Sequence, residues 1–259
     1  MLLGGAAAAA SGGYFAASNR LAVTRRDIQV FGGLFSPLRI CHISDLHAPG
    51  FTFSLDRLVR TVNDFSPDLI FITGDIIDDP GSEHLIYGLF SPLKATLGKY
   101  SILGNWEYWS NSDLNLVDEN YRKAGVHLLI NKTAETDFRG ARVRITGLDD
   151  WIAGRPDYGL IEKTAAGPGT NFILAHCPAA FDGIIKKASF PALTLSGHTH
   201  GGQIAPFGLM LFRPPGCGSY TRGLYRRGKH AMFVSQGLGN ILLPFRLGVR
   251  PELCLLTVS

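Results

Sequence analysis

The sequence contains few cysteines, few charged residues and no long apolar run beyond its first residues. Its four cysteines are widely spaced and form no CxxC pair, which argues against a disulfide framework and favours buried free thiols. Past residue 20, no uncharged run has the length and apolar density of a spanning helix, which excludes a multi-span membrane protein. With 46% hydrophobic and 18% charged residues over 259 positions, the chain is too apolar for general disorder and long enough to bury its own core.

Acidic residues are absent from Gly183 to Pro251, whereas nine lysines and arginines fall in this stretch. The net charge of the whole chain is only +4, so the asymmetry lies in the distribution of charge. This distribution predicts a positive field at one end of the fold, suited to phosphate groups or anionic lipid. A merely solvated basic face is an equally open interpretation. Within the stretch, Arg213 and Arg222 are the candidate substrate contacts.

The first nineteen residues carry no charged side chain and are rich in alanine and glycine. The segment lacks the basic start of a secretory signal, and its glycines make it a poor spanning helix. We interpret it as a weak membrane anchor, the remnant of a longer anchor or a disordered tail, and we favour membrane association. If it spans the inner membrane, Arg20, Arg25 and Arg26 leave the globular part in the cytoplasm by the positive-inside rule.

Beyond this segment, short β-rich runs alternate with helical patterns. The predicted strands are RICHIS, LIFIT, YSIL, VRITGL, FILAH, ALTLS, MFVS and LCLLTV. Between the first two, apolar residues recur at helical spacing behind Ser54, a predicted N-cap, and SEHLIYGLF and SDLNLVDENYRKAG are further helices. The alternation predicts an α/β fold with helix-covered sheets. No repeat or long linker is present, so we divide the chain into an apolar segment, residues 1–26, and one domain, residues 27–259.

Polar side chains follow five of these strands at the point where each strand ends. They are Asp45 and His47, Asp75, Asn105, His176, and His198 and His200. Imidazole nitrogens and carboxylate oxygens suit Mn²⁺, Fe or Zn²⁺. The D-x-H and H-x-H spacings on extended chain would put both side chains on one side of a strand. Gly74, Gly104 and Gly197 would let the backbone turn sharply and approach the metals, so these stretches predict a metal site.

The ordered motifs D-x-H, GD, GN, H and GH-x-H resemble the signature of the calcineurin-like metallophosphoesterases. The resemblance covers about Arg39 to Ser259 and implies a four-layer α-β-β-α sandwich of two mixed sheets flanked by helices. The strings GHTHGGQI, GDIID and VSQGLG, followed by PFR and PE, look like the branch that holds bacterial membrane-associated phosphodiesterases. That branch includes enzymes that cleave the pyrophosphate of UDP-2,3-diacylglucosamine in lipid A synthesis.

The resemblance also implies a dinuclear site and its ligand set. One metal would be held by Asp45, His47 and His200, the other by Asn105, His176 and His198, and Asp75 would bridge them. Asp75 and Asn105 are thereby the implied catalytic residues, and two Mn²⁺ ions are expected, with Fe and Zn²⁺ left open. Two cations about 3.5–4 Å apart can clamp phosphoryl oxygens and lower the pKa of water for in-line attack. Asp78 and Glu107 would support these ligands or be surface carboxylates.

One position departs from the family pattern, because Trp106 stands where the GN motif normally continues with histidine. Indole donates one hydrogen bond but cannot act as an acid near neutral pH, and such proton transfer is worth about 10²–10⁴ in rate. The loss favours a leaving group that needs no proton, such as that of a pyrophosphate, unless His84 or His127 supplies one. Trp106 and Trp109 would form a platform for a base or sugar, or would belong to the core.

The apolar stretch APFGLMLF, residues 205–212, follows the last motif and is flanked by prolines. If it is exposed, it makes a patch beside the metal site that can meet acyl chains or a bilayer surface. If it is buried, it is an ordinary strand.

Together these features predict a metal-dependent hydrolase of a phosphodiester or pyrophosphate bond, acting on a lipid-linked substrate such as UDP-2,3-diacylglucosamine at the inner membrane. The expected partners are a phosphate-containing lipid or nucleotide-sugar substrate and the membrane surface, and no nucleic acid is expected. A soluble nucleotide phosphodiesterase is the alternative within the enzyme class. A catalytically inactive metal-binding scaffold is the alternative outside it, because Trp106 removes a functional group while sparing every metal ligand.

Overall fold

The computed structural model describes residues 20–30, 37–50, 53–164 and 169–259, and within these residues the strands form two six-stranded sheets. Strands are numbered in chain order. The first sheet contains, in spatial order, β1 (Ala22–Ile28), β12 (Glu252–Val258), β2 (Leu38–Ile43), β3 (Leu69–Thr73), β4 (Gly98–Ile102) and β5 (Val126–Leu128). The second contains β10 (Gly223–Arg227), β11 (His230–Val234), β9 (Ala192–Ser196), β8 (Thr170–Leu174), β7 (Ala141–Gly147) and β6 (Lys132–Phe138).

Both sheets are mixed. Strands β2 to β5 are parallel, while β12 runs antiparallel to β2 and parallel to β1. In the second sheet, β11, β9, β8 and β7 are parallel, and the edge strands β10 and β6 are antiparallel to their neighbours. The parallel strands align their carboxyl ends along one edge, where open α/β sheets carry their sites.

Helices cover the outer face of each sheet. They are α1 (Leu55–Phe65), α2 (Leu85–Phe90), α3 (Asn105–Trp109), α4 (Leu114–Lys123), α5 (Gly159–Thr164) and α6 (Ala180–Lys187). The predicted N-cap is confirmed, because the Ser54 hydroxyl accepts the Arg57 backbone N–H at 3.4 Å. Asp113 caps α4 in the same way, accepting the Asn115 N–H at 2.9 Å.

The core forms three apolar layers, one between the two sheets and one between each sheet and the helices on its outer face. Between the sheets, Phe71 of β3 and Phe172 of β8 pack with their ring centroids 5.3 Å apart. On the outer face of the first sheet, Leu58 of α1 and Val117 of α4 are buried with residues of α2, and α5 and α6 cover the second sheet. Burial of one such aliphatic side chain stabilises the fold by about 1.5–3 kcal/mol. The predicted four-layer architecture of two mixed sheets with flanking helices is confirmed.

The first strand crosses the boundary that we predicted between residues 26 and 27. Ala22 pairs with Glu252 and Ile28 with Val258, so residues 22–26 belong to the first sheet rather than to an N-terminal segment. The apolar residues 1–19 lie outside the described residues. Within the described ranges, no helix is long and apolar enough to cross a membrane.

The stretch 205–212 is not a strand, and apart from the buried Ala205 its residues are exposed or partly exposed, as expected for a surface patch. It begins with a 3₁₀ turn, Pro206–Gly208, and continues as an irregular loop whose apolar side chains are open to solvent. All four cysteines are buried and free, as predicted.

Candidate metal centre

The seven predicted metal ligands lie just beyond the carboxyl ends of strands from both sheets, and all seven are buried. Asp45 and His47 follow β2, Asp75 follows β3, Asn105 begins α3 after β4, His176 follows β8, and His198 and His200 follow β9. Because the two sheets pack face to face, these strand ends meet at one edge of the sandwich.

Asp45, His47 and His200 form the first group, and their ligand atoms all lie within 4.8 Å of one another. The Nε2 atoms of His47 and His200 are 3.1 Å apart, and His200 Nε2 lies 3.6 Å from Asp45 Oδ1. Asp75 reaches the same group, because its Oδ2 lies 3.9 Å from His47 Nε2.

Asp75, His176 and His198 form the second group, again with ligand atoms within 4.8 Å of one another. Asp75 Oδ2 lies 3.0 Å from His176 Nε2, and His198 Nδ1 lies 3.2 Å from that same nitrogen. The Asn105 side-chain oxygen is also 3.2 Å from His176 Nε2, so Asn105 joins this group. Asp75 therefore contacts both groups.

Backbone carbonyls set the tautomers of two of these histidines. His176 Nδ1 donates to the Thr73 carbonyl at 2.6 Å, so the Nε2 nitrogen of a neutral ring is free to bind. His198 Nε2 donates to the Pro215 carbonyl at 2.5 Å, which leaves its Nδ1 free instead. A ring nitrogen fixed in this way is the form that ligates a metal.

The pKa shifts of the ligands show buried charges that interact strongly, with a proton held where a cation could bind. Burial acts to raise the pKa of the Asp75 carboxyl, but His176, together with His47 and His198, outweighs burial and lowers the pKa to about 2. Burial likewise acts to lower the pKa of His176, but Asp75, together with Asp45 and Asp150, outweighs burial, so that this pKa is raised. Burial also raises the pKa of Asp45 and, reinforced by His47, lowers that of His200. A metal ion would displace the proton held between Asp75 and His176.

The donor set fits a pair of divalent cations. Each group supplies imidazole nitrogens and carboxylate oxygens, which suit Mn²⁺, Fe and Zn²⁺ alike. Asp45 Oδ2 is buried and has no hydrogen-bond partner among the described residues. A buried carboxylate oxygen without a partner is costly unless a cation compensates it.

Five of the seven ligands, including all four in the D-x-H and H-x-H motifs, have positive φ angles and lie in loops beyond the strands. Our expectation that these two motifs lie on extended strand is therefore wrong. The φ angles are 51° at Asp45, 49° at His47, 54° at Asp75, 69° at His198 and 50° at His200. The strands end before the motifs begin, at residues 43 and 196. Non-glycine residues in this conformation cost about 1–2 kcal/mol each, and such strain is typical of functional sites.

Three glycines permit the close approach of these loops, for two different reasons. Gly74 has a φ of 83°, in the left-handed region. Gly104 and Gly197 are needed for space, because a Cβ at Gly104 would overlap the Asp75 carboxylate and one at Gly197 would overlap the Ser44 hydroxyl. The close approach of the backbone that we predicted at these three positions is therefore possible only because they lack a Cβ.

Glu107 supports the loops that carry Asp75 and Asn105. Its carboxylate is buried and accepts the backbone N–H groups of Ile76 at 2.6 Å, Gly104 at 2.8 Å and Asp75 at 3.1 Å. Burial, together with the nearby Asp75 charge, raises the pKa of Glu107 to about 7. Glu107 is therefore a supporting residue and not a surface carboxylate.

Asp78 supports the first group from the other side. Its Oδ2 lies 3.5 Å from His47 Nδ1, the ring nitrogen that points away from His200. A carboxylate at this position orients the imidazole and increases the basicity of the opposite nitrogen.

An apolar cavity of about 490 Å³ opens beside the metal ligands. Asp75, Asn105, His198 and His200 line its floor, and its walls are Trp106, Trp109, Leu211, Phe212, Pro214, Pro215, Ile241, Leu242 and Leu243. We call this cavity the apolar groove. The Trp106 ring meets His47 edge to face at 5.9 Å, and its buried indole N–H has no partner in the described part of the chain.

Arg213 and Arg222 lie outside the apolar groove. Both are exposed, and together with Leu209 and Met210 they line a smaller depression next to the 205–212 loop. Neither of the two histidines considered as proton donors lines the groove. His84 is exposed and bonds the Gly81 carbonyl, and His127 stacks on Tyr100 at 5.4 Å.

Arg246 is a contact that the sequence analysis missed, since it was counted with the basic surface. It is fully buried, donating to the Gln236 carbonyl at 2.8 Å and to the Gly239 carbonyl at 3.0 Å, with His200 Nδ1 at 3.2 Å. The guanidinium therefore ties the 236–240 loop to the last ligand. The one signal for it in the sequence is the PFR string, an arginine inside an otherwise apolar stretch.

Residues 38–202 match the family model described as calcineurin-like phosphoesterase. An uncharacterized metallophosphoesterase of Bacillus subtilis (strain 168), YkuE, is 33% identical over 235 residues, which cover 87% of this chain and 80% of that protein. A Danio rerio protein named transmembrane protein with metallophosphoesterase domain is 33% identical over 233 residues, which cover 83% of this chain and 52% of that protein.

Two solved structures share the architecture. GAP50, described as the anchor in the inner membrane complex of Plasmodium, has a TM-score of 0.54 at 11% identity, over 85% of this chain and 80% of that one. The NAD nucleotidase of Haemophilus influenzae has a TM-score of 0.53 at 14% identity, over 77% of this chain and 44% of that one. At these identities the likeness concerns the fold alone.

Proposed function

The chain belongs to the calcineurin-like phosphoesterase family and is a metallophosphoesterase, and from this premise we propose that it cleaves a phosphodiester or pyrophosphate bond of a lipid-linked substrate. The observation that carries the proposal is the placement of two metal-ligand groups, joined at Asp75, on the floor of a groove with apolar walls. A hydrolytic centre at the end of an apolar groove suits a molecule that has both a phosphate and hydrocarbon.

The residues of the two groups would hold one divalent cation each, with Asn105 completing the second group and Asp75 shared, and Mn²⁺ is the ion that we propose. When bound, such a pair supplies positive charge to phosphoryl oxygens and lowers the pKa of water. The chain itself orients the site. The Trp106 backbone N–H donates to Asp75 Oδ1 at 2.8 Å, which holds this carboxylate with its other oxygen toward the histidines.

Trp106 favours a substrate that needs no acid from the protein. The indole N–H retains its proton near neutral pH and is buried, so it cannot act as that acid. The phosphate leaving group of a pyrophosphate is already a weak base, whereas an alkoxide leaving group is not. Cleavage of a pyrophosphate such as that of UDP-2,3-diacylglucosamine fits this restriction.

The apolar groove gives the lipid part of such a substrate a place to bind. Trp109, Leu211 and Phe212 on one side and Leu242 on the other offer almost exclusively hydrocarbon surface. Burial of acyl chains there would contribute about 25 cal/mol per Å² of apolar surface removed from water. The same walls would exclude bulk water from the phosphate end.

Turnover measurements with the Mn²⁺-loaded chain test the proposal. We expect hydrolysis of bis(p-nitrophenyl) phosphate and faster hydrolysis of UDP-2,3-diacylglucosamine, both abolished by Asp75→Ala. Asp64→Ala, which removes an exposed carboxylate on α1, is the matched control and should leave both rates unchanged.

The outcomes distinguish the alternatives. Equal rates on lipid-linked and free nucleotide pyrophosphates, with no effect of detergent or vesicles, would favour a soluble nucleotide phosphodiesterase. Metal binding with no turnover of any of these compounds would favour an inactive scaffold and would overturn the proposal.

A further inference from the structure

Two loops carry exposed apolar side chains at the apolar groove and next to it, with Leu211, Phe212, Leu242 and Leu243 lining the groove and Leu209 lining the neighbouring depression. Of the eleven large hydrophobic residues exposed in the described part of the chain, six lie in these loops. They are Phe207, Leu209, Leu211, Phe212, Leu242 and Leu243. We call them the apolar rim. A concentration of this kind marks an interaction surface rather than the scattered apolar exposure of an ordinary protein.

The rim is built to stay exposed. Phe207 is 89% exposed and Leu242 is 91% exposed, and the other four residues are between 47% and 69% exposed. The second loop is fixed to the first by Gln203, whose side-chain amide donates to the Ile241 carbonyl at 2.9 Å and to the Leu243 carbonyl at 3.0 Å. Both loops are therefore held in place without burying their apolar tips.

The charge beside the rim is positive. Arg213 and Arg222 are exposed in the same depression as Leu209, and the chain from residue 183 to residue 251 has no acidic residue. Apolar tips next to arginines are complementary to a membrane with anionic headgroups above its acyl chains. A flat protein partner would more often meet a flat apolar patch with a polar rim.

We propose that the apolar rim docks the protein on the surface of an anionic phospholipid bilayer, so that the groove opens onto the membrane. Phe207, Leu209 and Leu242 enter the interfacial region, and Arg213 and Arg222 contact headgroup phosphates. This inference rests on the proposed function, because docking would give a lipid-linked substrate a direct path from the membrane to the metal ligands. Vesicle binding is measured without any hydrolysis, so the two proposals can fail separately.

Vesicle sedimentation of the full chain tests the docking. We expect wild-type protein to bind phosphatidylcholine vesicles that contain phosphatidylglycerol and to bind pure phosphatidylcholine vesicles more weakly. Phe207→Asn with Leu209→Ser should lower the partition coefficient at least about tenfold, since each side chain loses its apolar burial. Asparagine suits position 207, where φ is 53°. The matched control, Tyr87→Ser with Leu116→Ser, removes two exposed apolar side chains from α2 and α4 and should bind as wild type does.

Charge variants separate the headgroup contribution. Arg213→Gln and Arg222→Gln should each reduce binding to the anionic vesicles about fivefold, the factor that corresponds to about 1 kcal/mol, and should not affect binding to neutral ones. Because all four native cysteines are buried, an environment-sensitive fluorophore can be attached at Leu209→Cys alone. Its emission should rise on addition of vesicles, and the same label at Leu116→Cys should not respond.

Docking is overturned if wild-type protein fails to bind the vesicles, if the Phe207→Asn/Leu209→Ser variant binds as well as the control pair, or if the label at position 209 does not respond. Hydrolysis of soluble bis(p-nitrophenyl) phosphate by the same variant should equal that of wild type. A chain that binds vesicles through the rim and hydrolyses nothing would leave docking intact and would refute the proposed function instead.

Discussion

Removal of the Glu107 carboxylate tests whether the metal-binding loops depend on one buried side chain. This carboxylate accepts three backbone N–H groups, from Asp75, Ile76 and Gly104, and the residue is only 1% exposed. In Glu107→Ala these three donors lose their acceptor in a place that water does not readily reach. Asp75 and Gly104 carry the bridging ligand and the turn into α3, so the loss acts on the site directly.

The expected magnitude follows from the three donors. A buried donor left without a partner costs about 1–3 kcal/mol, so Glu107→Ala should lower the free energy of unfolding by at least about 3 kcal/mol. That is a large share of a typical stability of about 5–15 kcal/mol. Glu107→Gln keeps the shape, and its one oxygen can still accept the Asp75 and Gly104 N–H groups, but its amide NH₂ group must then face the Ile76 N–H, so a loss of about 1–3 kcal/mol should remain. We expect Mn²⁺ affinity to fall about 10–100-fold in both variants.

Urea unfolding in the presence of EDTA measures the stability, and calorimetric titration with Mn²⁺ measures the affinity. Glu119→Ala is the control, because Glu119 is an exposed glutamate whose one ion pair, to Lys123, lies on the surface of α4. It should change neither quantity. The reasoning is refuted if Glu107→Gln unfolds within about 1 kcal/mol of wild type, less than one stranded donor is expected to cost, and binds Mn²⁺ equally well.

Three further predictions concern single side chains near the site. Trp106→Phe keeps a ring against His47 and removes an indole N–H that is buried without a partner in the described part of the chain, so kcat on a pyrophosphate should stay within about threefold of wild type, and a tenfold fall would show that the N–H reaches the substrate. Asp78→Asn should weaken Mn²⁺ binding about 10–100-fold, because His47 loses its orienting carboxylate, and equal affinity in a titration would contradict that role. Burial lowers the pKa of His42 to about 3 from 6.5, so the unfolded chain takes up the proton first and the free energy of unfolding should drop by about 2 kcal/mol between pH 7.5 and pH 5. Unfolding in EDTA at both pH values should show a loss about 2 kcal/mol larger in wild type than in His42→Gln, because His200, whose pKa burial also lowers, titrates in both proteins. An equal loss in the two proteins would assign it to groups other than His42.

The fold was predictable wherever strands are uniformly apolar. LIFIT and ALTLS coincide with β3 and β9, because strands buried on both faces consist of β-branched and apolar residues throughout. The four edge strands β1, β5, β6 and β10 were not predicted. β6, KTAETDF, and β10, GLYRR, each form a hairpin with the next strand, but their many exposed polar side chains lack the apolar pattern of a buried strand.

Short helices were the other omission. α3, α5 and α6 have five, six and eight residues, too few turns for an apolar period to be recognised. At the start of α3, the Glu107 carboxylate accepts the Gly104 N–H at 2.8 Å. This hydrogen bond forms in a buried turn beside Asp75, so it depends on the tertiary structure.

The identity of the ligands was readable from the motifs, whereas their conformation was not. The D-x-H spacing is compatible with a strand, whereas Asp45 and His47 both adopt a positive φ in the folded chain. The apolar rim and Arg246 illustrate the same limit. Hydropathy predicts that apolar residues are buried and that arginines are exposed, and both predictions fail here, for the exposed apolar rim and for the buried Arg246. Tertiary contacts decide which of these residues are open to solvent.

Anomalous scattering from crystals of the full chain loaded with Mn²⁺ tests the central claim most directly. The account predicts two peaks, both within ligand distance of Asp75, one beside Asp45, His47 and His200 and the other beside Asn105, His176 and His198. A single peak, peaks elsewhere on the molecule, or none in well-ordered crystals would contradict it.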